Sequence, residues 1–124
     1  MKKIISTTNA PAAVGPYSQA VMYGDMLYTS GQIGLDPATG AFAGDDIATQ
    51  AKQVCENLKA VLAEAGMTFD NVIKTTCFLA EISDFAAFNA IYADYIVSLP
   101  ARSCVAAKDL PKGALCEIEV IAAK

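Results

Sequence analysis

Two stretches with a helical repeat flank an eight-residue run rich in β-branched residues, and that order leaves the chain few ways to fold. From Ile47 onward the apolar positions are Ile47, Ala51, Val54, Cys55, Leu58, Val61, Leu62 and Ala65. Spacings of three and four place them on one face of an amphipathic helix. Asp46 stands where an N-cap is needed, and Gly66 where such a helix stops. The run Val72-Ile73-Lys74-Thr75-Thr76-Cys77-Phe78-Leu79 reads as a central strand. A second helix starts near Ser83 or Asp84, with Phe85, Phe88, Tyr92 and Tyr95 on one face, and must end before Pro100.

The flanks read as strands. Ile4 to Ser6 is a short edge strand, and residues 9–16 are loop, broken by Pro11, Gly15 and Pro16. Tyr17 to Tyr23 and Met26 to Ser30 form a hairpin closed by Gly24 and Asp25. Gly31 ends that second strand, a position where backbone often approaches a ligand or another chain closely. Residues 36–40 are a turn cluster. Near the C-terminus, residues 100–105 and 115–121 read as two more strands, and residues 108–114 as the loop of a hairpin between them. The order strands, helix, strand, helix, strands predicts a two-layer α+β domain spanning residues 1–124, with a mixed sheet and both helices on one face. The other face then needs a partner, and a second copy of the chain is the simplest.

Composition supports that expectation. Of the 124 residues, 54% are hydrophobic and only 18% charged, which leaves few charges to cover a small domain. The net charge of −4 and the lack of a basic stripe argue against nucleic acid as a partner. No apolar run is long enough to span a membrane. Met1 to Ile5 leads straight into polar residues, so no secretory signal is read there. Cys55, Cys77, Cys104 and Cys116 show no C-x-x-C spacing, which is the pattern of a cytoplasmic chain with free thiols. Histidine is absent, which removes the usual zinc sites and the Ser–His and Cys–His nucleophile pairs.

Arg102 is the only arginine, and it opens an otherwise apolar strand where an unpaired charge would be costly. If the C-terminal hairpin pairs Cys104 with Glu117, Arg102 lies opposite Glu119, and a cation, a thiol and a carboxylate share one side of the sheet. A one-residue slip sends the arginine to the other side. Two roles for Arg102 fit the residues equally: a clamp for a substrate carboxylate, or a structural ion pair with Glu119. Glu117 reads either as a base for water or as a solvated strand residue. Cys104 lacks a base that would make it a nucleophile. Tyr17 and Phe85 read by default as packing aromatics, and Asn89 as a partner for a neighbouring loop.

Several segments together resemble the Rid (YjgF) family, in particular its RidA branch. They are Gly15-Pro16-Tyr17-Ser18-Gln19-Ala20, Ser30-Gly31-Gln32-Ile33, Val72 to Thr76, Phe88-Asn89 with Tyr92, Pro100-Ala101-Arg102-Ser103-Cys104-Val105, and Leu110-Pro111-Lys112-Gly113-Ala114 leading into Glu117-Ile118-Glu119. The resemblance implies a chorismate-mutase-like subunit and a homotrimer in which the sheets form a central barrel with clefts between subunits. It implies hydrolysis of 2-imino acids such as 2-iminobutanoate and 2-iminopropanoate to 2-keto acids and ammonia, with neither metal nor organic cofactor. It also implies that Arg102 binds the substrate carboxylate and Glu117 positions water. Tyr17 counts among the catalytic positions, and Ser30, Gly31, Asn89 and Cys104 lie in or near the cleft. The same chemistry leaves room for a non-enzymatic module that binds small carboxylates, or for a chaperone. Residues 96–99 form a shorter connection than the family usually has, and residues 106–109 lack a glutamate common there.

Overall fold

The computed structural model describes all residues, 1–124. Its elements in chain order are β1 (Lys2–Ile5), β2 (Ala20–Tyr23), β3 (Met26–Thr29), β4 (Gln32–Ile33), α1 (Ile47–Glu64), β5 (Val72–Leu79), α2 (Phe85–Tyr95), β6 (Ala101–Ala106) and β7 (Cys116–Ala123). The strands form one mixed sheet in the order β1-β2-β3-β7-β5-β6, with β4 also paired to β7. The hairpin turn at Gly24 and Asp25 is present, with Tyr23 opposite Met26. Its first strand starts at Ala20 rather than Tyr17. The reason is that residues 17–19 turn aside to hold the N-terminal loop.

The helices follow the local signals. Asp46 caps α1, its carboxylate accepting from the Thr49 backbone N–H at 3.0 Å. Gly66 adopts φ 74° just past the helix end, a conformation that favours glycine. Val54, Cys55, Leu58, Val61 and Leu62 are fully buried, the apolar face expected from their spacing. On β7, Cys116, Ile118, Val120 and Ala122 are buried while Glu117 and Glu119 point to the other side. Helices α1 and α2 therefore cover one face of the sheet. The opposite face is open and partly apolar, with Ile4, Tyr28 and Val105 each roughly half exposed. No helix is long and apolar enough to cross a membrane.

The C-terminal hairpin is not formed. β6 pairs parallel to β5, with Arg102 beside Thr75 and Cys104 beside Cys77. β7 pairs antiparallel to the other edge of β5, with Val120 beside Thr75 and Glu117 beside Phe78. β5 thus lies between the two strands expected to pair. The physical reason is the crossover: α2 returns the chain parallel to β5, and residues 107–115 then carry it around the end of β5. Hydrogen bonds from Ala107 N to Leu79 O at 2.9 Å and from Ala80 N to Leu115 O at 3.0 Å tie this passage down. Arg102 and Cys104 consequently share the helix-covered side, and Glu117 and Glu119 face the other. The expected shared side of Arg102, Cys104 and Glu117 is overturned within one chain, and so is the ion pair between Arg102 and Glu119.

Candidate functional site: two half-sites on opposite faces

The first cavity, of about 580 Å³, opens over the break between β3 and β4 and is lined by Tyr17, Ser30, Gly31, Lys112 and Glu117, among others. Both β3 and β4 pair with β7, and the ladder is interrupted at Ser30 and Gly31. At the interruption the Thr29 hydroxyl accepts from Val120 N at 3.0 Å, satisfying a strand N–H that the ladder leaves free. Ser30 turns toward the preceding loop, donating through Oγ to Ser18 O at 2.6 Å. Gly31 lies against the Glu117 side chain. A Cβ there would overlap the carboxylate and sit 2.8 Å from its Cδ. The glycine is needed for this close approach.

Glu117 is half-buried, and loss of water around it, with a smaller contribution from Glu119, holds its carboxyl above the ordinary carboxylate range. A carboxylate tuned upward at the wall of a cavity is suited to taking and returning a proton. Gly31→Ala is expected to displace it and lower kcat/KM of any reaction that uses this carboxylate about 10²-fold, the scale of an ångström of misplacement. Steady-state kinetics beside a circular-dichroism melt checks this, the melt showing that the fold survives.

Three buried polar side chains that the sequence reading gave no role frame this cavity. Gln19 is 3% exposed. It accepts from Thr7 N at 2.7 Å and donates to Thr7 O at 3.0 Å and Pro11 O at 2.8 Å, which pins the N-terminal loop. Asn57 donates to Ile33 O and Leu35 O at 3.1 and 2.9 Å. Gln50 receives Leu115 N at 2.9 Å and donates to Gly44 O at 2.9 Å. For Gln50 and Asn57 the sequence signal was their place among the apolar positions of α1, on the face shared with Val54 and Val61. Polar groups there must be satisfied by backbone from elsewhere.

The second cavity, of about 520 Å³, is lined by Arg102, Asn89, Tyr92, Val97 and Leu99, among others. Asn89 Oδ1 accepts from Arg102 Nη1 at 2.7 Å, which is its role in place of a loop contact. The guanidinium carbon lies 4.7 Å from the Tyr92 ring centroid and 5.5 Å from that of Phe85. Phe85 is therefore no core residue: it is 37% exposed and flanks the cation. Tyr92 is in turn fixed by a 2.8 Å hydrogen bond to Thr75 Oγ1. Asn89 and the two rings hold the fork while leaving its remaining N–H groups for a planar anion.

Cys104 lines neither cavity and packs against the core. Burial raises its pKa, against weaker opposing effects of Arg102 and Cys77, so it remains a thiol at neutral pH. Cys77 is pushed up to about 12 by burial. Neither is an activated nucleophile. The sequence-derived residues thus fall into two groups. Tyr17, Ser30, Gly31 and Glu117 meet at the first cavity, Arg102 and Asn89 at the second, and Cys104 stands apart.

Comparison with known proteins places this geometry. The family model described as Endoribonuclease L-PSP matches residues 7–124. A 2-iminobutanoate/2-iminopropanoate deaminase from Mus musculus is 49% identical over 123 residues, covering 98% of this chain and 91% of its own. The protein of that name from Salmonella typhimurium is 48% identical over 128 residues, covering 100% of this chain and 99% of its own. Among solved structures, E. coli TdcF with bound serine aligns with a TM-score of 0.93 at 42% identity, covering 98% of each chain. Likeness of this extent, running from the loop that frames the first cavity to the end of β7, makes this chain a member of the Endoribonuclease L-PSP family, the Rid (YjgF) proteins that its motifs resemble.

Proposed function

We propose that this protein hydrolyses 2-imino acids, and the 2-enamino acids in equilibrium with them, to 2-keto acids and ammonia. It works as a homotrimer in which the Arg102 cavity of one subunit meets the Glu117 cavity of the next. The observation that carries this reading is the separation of the cationic and carboxylate half-sites on opposite faces of one sheet. Neither is a complete imine hydrolase alone, and a neighbour in a cyclic ring, presenting a different face at each contact, is the simplest way to join them. The open apolar face of the sheet, with Tyr28 and Val105 exposed, supports its burial against other copies around a central barrel. The deaminase names of the mouse and Salmonella relatives support the reaction.

In this mechanism Arg102, steadied by Asn89, takes the substrate carboxylate in two parallel hydrogen bonds. Glu117 accepts a proton from water as its oxygen adds to C2. With the substrate entering as the iminium, the resulting carbinolamine carries a hydroxyl and an amino group. Glu117 returns its proton to that nitrogen, and the C2–N bond breaks as the hydroxyl O–H electrons form the C=O bond. The hydroxyl proton passes through Glu117 to the departing ammonia, which leaves as ammonium. One water is consumed for each ammonia released. General-base help of about 10²–10⁴-fold is enough for an imine that already hydrolyses slowly by itself.

Subunit mixing tests the shared site. Arg102→Ala and Glu117→Gln chains, each strongly impaired alone at substrate levels below KM, are co-expressed and assayed under those conditions for pyruvate release from freshly generated 2-aminoacrylate. If Arg102 and Glu117 come from different subunits, random trimers regain about a quarter of wild-type activity. If one subunit supplies both, none returns, and the inter-subunit reading is wrong.

A second reading, a binding module for small carboxylates, draws support from the serine held by the TdcF relative. It predicts calorimetric binding of 2-keto acids with imine lifetimes unchanged. The ribonuclease named in the family description finds little support here, where the net charge is −4 and histidine is absent.

A further inference from the structure

Only two non-glycine residues have a positive φ, Leu99 and Lys112, both at 57°. Each lines one of the two cavities, Leu99 the Arg102 side and Lys112 the Glu117 side. The left-handed conformation is unfavourable for a residue with a Cβ. It persists where the surroundings over-determine it, most often at functional sites. At Leu99 the constraints are visible. Pro100 disfavours the right-handed helical conformation for the residue before it, and Ser98 Oγ donates to Phe69 O at 3.2 Å, anchoring the preceding turn.

The Leu99 side chain gains nothing from this within the chain's own core, for it is 88% exposed. What it does face is the Arg102 cavity. Arg102 and Asn89 supply the charged and amide groups of that cavity, and the rest of the lining is Tyr92, Ala93, Ile96, Val97, Leu99 and Pro100. A carboxylate fixed on the guanidinium leaves the substituent on C2 to lie along this apolar wall. At about 520 Å³ the space exceeds what a three-carbon acid fills.

We propose that Leu99 is a specificity-determining residue, its side chain forming the wall against which the apolar side chain of a 2-imino acid packs. This rests on the assignment of the Arg102 cavity as the carboxylate site. It assigns the preferred substrates to the class with linear or branched hydrocarbon side chains. Acidic or cationic side chains find no counter-charge on that wall.

The test uses two substrates that differ by one methylene, 2-iminobutanoate and 2-iminopropanoate, with Leu99→Gly and Leu99→Asn. Both replacements accept φ near 57° better than leucine, so the backbone keeps its path while the wall is lost or made polar. The kcat/KM ratio of the longer to the shorter substrate is expected to fall about tenfold, the scale of one methylene in an apolar pocket. The affinity ratio of 2-oxobutanoate to pyruvate, read by calorimetry, should fall in parallel. A ratio unchanged in both variants, or an equal loss on both substrates with dissociation of the oligomer, overturns the proposal and leaves Leu99 a structural residue. If the wild type accelerates neither imine, the hydrolase reading fails, and the keto-acid affinity ratio still decides the role of Leu99.

Discussion

Glu117→Gln is expected to lower kcat by about 10²–10⁴-fold while leaving 2-keto acid binding nearly intact. Glutamine keeps the shape of the side chain beside Gly31 but cannot take a proton from water. The pH profile carries a second signature. Burial, and then Glu119, raise the Glu117 pKa above its ordinary 4.5, so the acid limb of kcat/KM should lie above that value. Glu119→Gln removes one cause and should move the limb to lower pH. The linkage to stability has a definite sign. A carboxyl whose folded pKa is raised weakens the fold when ionised, and that penalty is relieved as pH falls from the raised value toward 4.5. The Glu117→Gln variant, which cannot ionise, should therefore melt at or above the wild-type temperature at pH 7 and lose this advantage near pH 4. Thermal melts at the two pH values and a rate profile between them check both statements.

Arg102→Ala is expected to lose about 10²–10⁴-fold in kcat/KM, because two charge-assisted hydrogen bonds of roughly 1.5–3 kcal/mol each are removed. The loss should appear chiefly in KM, since the carboxylate is held alike before and during reaction. Arg102→Lys is expected to recover little of it: an ammonium presents no planar fork, and it cannot span Asn89 Oδ1 and a substrate carboxylate in one plane. Stability should change only modestly. The stacking on Tyr92 and Phe85 is worth about 0.5–1 kcal/mol at this partly exposed position. Full activity in Arg102→Ala, with the fold intact by circular dichroism, would remove the carboxylate clamp from the mechanism.

The local elements were legible because their causes lie within a few residues of one another. Asp46 capping Thr49, Gly66 ending α1 and the uninterrupted strand Val72–Leu79 are set by neighbours in sequence. The motif residues of the two cavities were legible too, through resemblance. Their grouping was not. The hairpin reading put Arg102 and Glu117 together because alternation along each strand was correct, while the insertion of β5 between the two strands was not read. Phe85 was read as core because helical spacing cannot tell a face packed on the sheet from one turned toward a cation on β6.

Helix limits, strand parity, the lone guanidinium and the lack of histidine were determined by the sequence alone, since each follows from residue type and short-range spacing. Tertiary structure decided that β5 lies between β6 and β7. With it came the assignment of the cation and the carboxylate to opposite faces and the placing of Leu99 beside the cavity. Strand order is a competition among pairings far apart in sequence, settled by the crossover of α2 and by burial of the sheet under both helices. The alternation of side chains within a single strand carries no record of which neighbour wins.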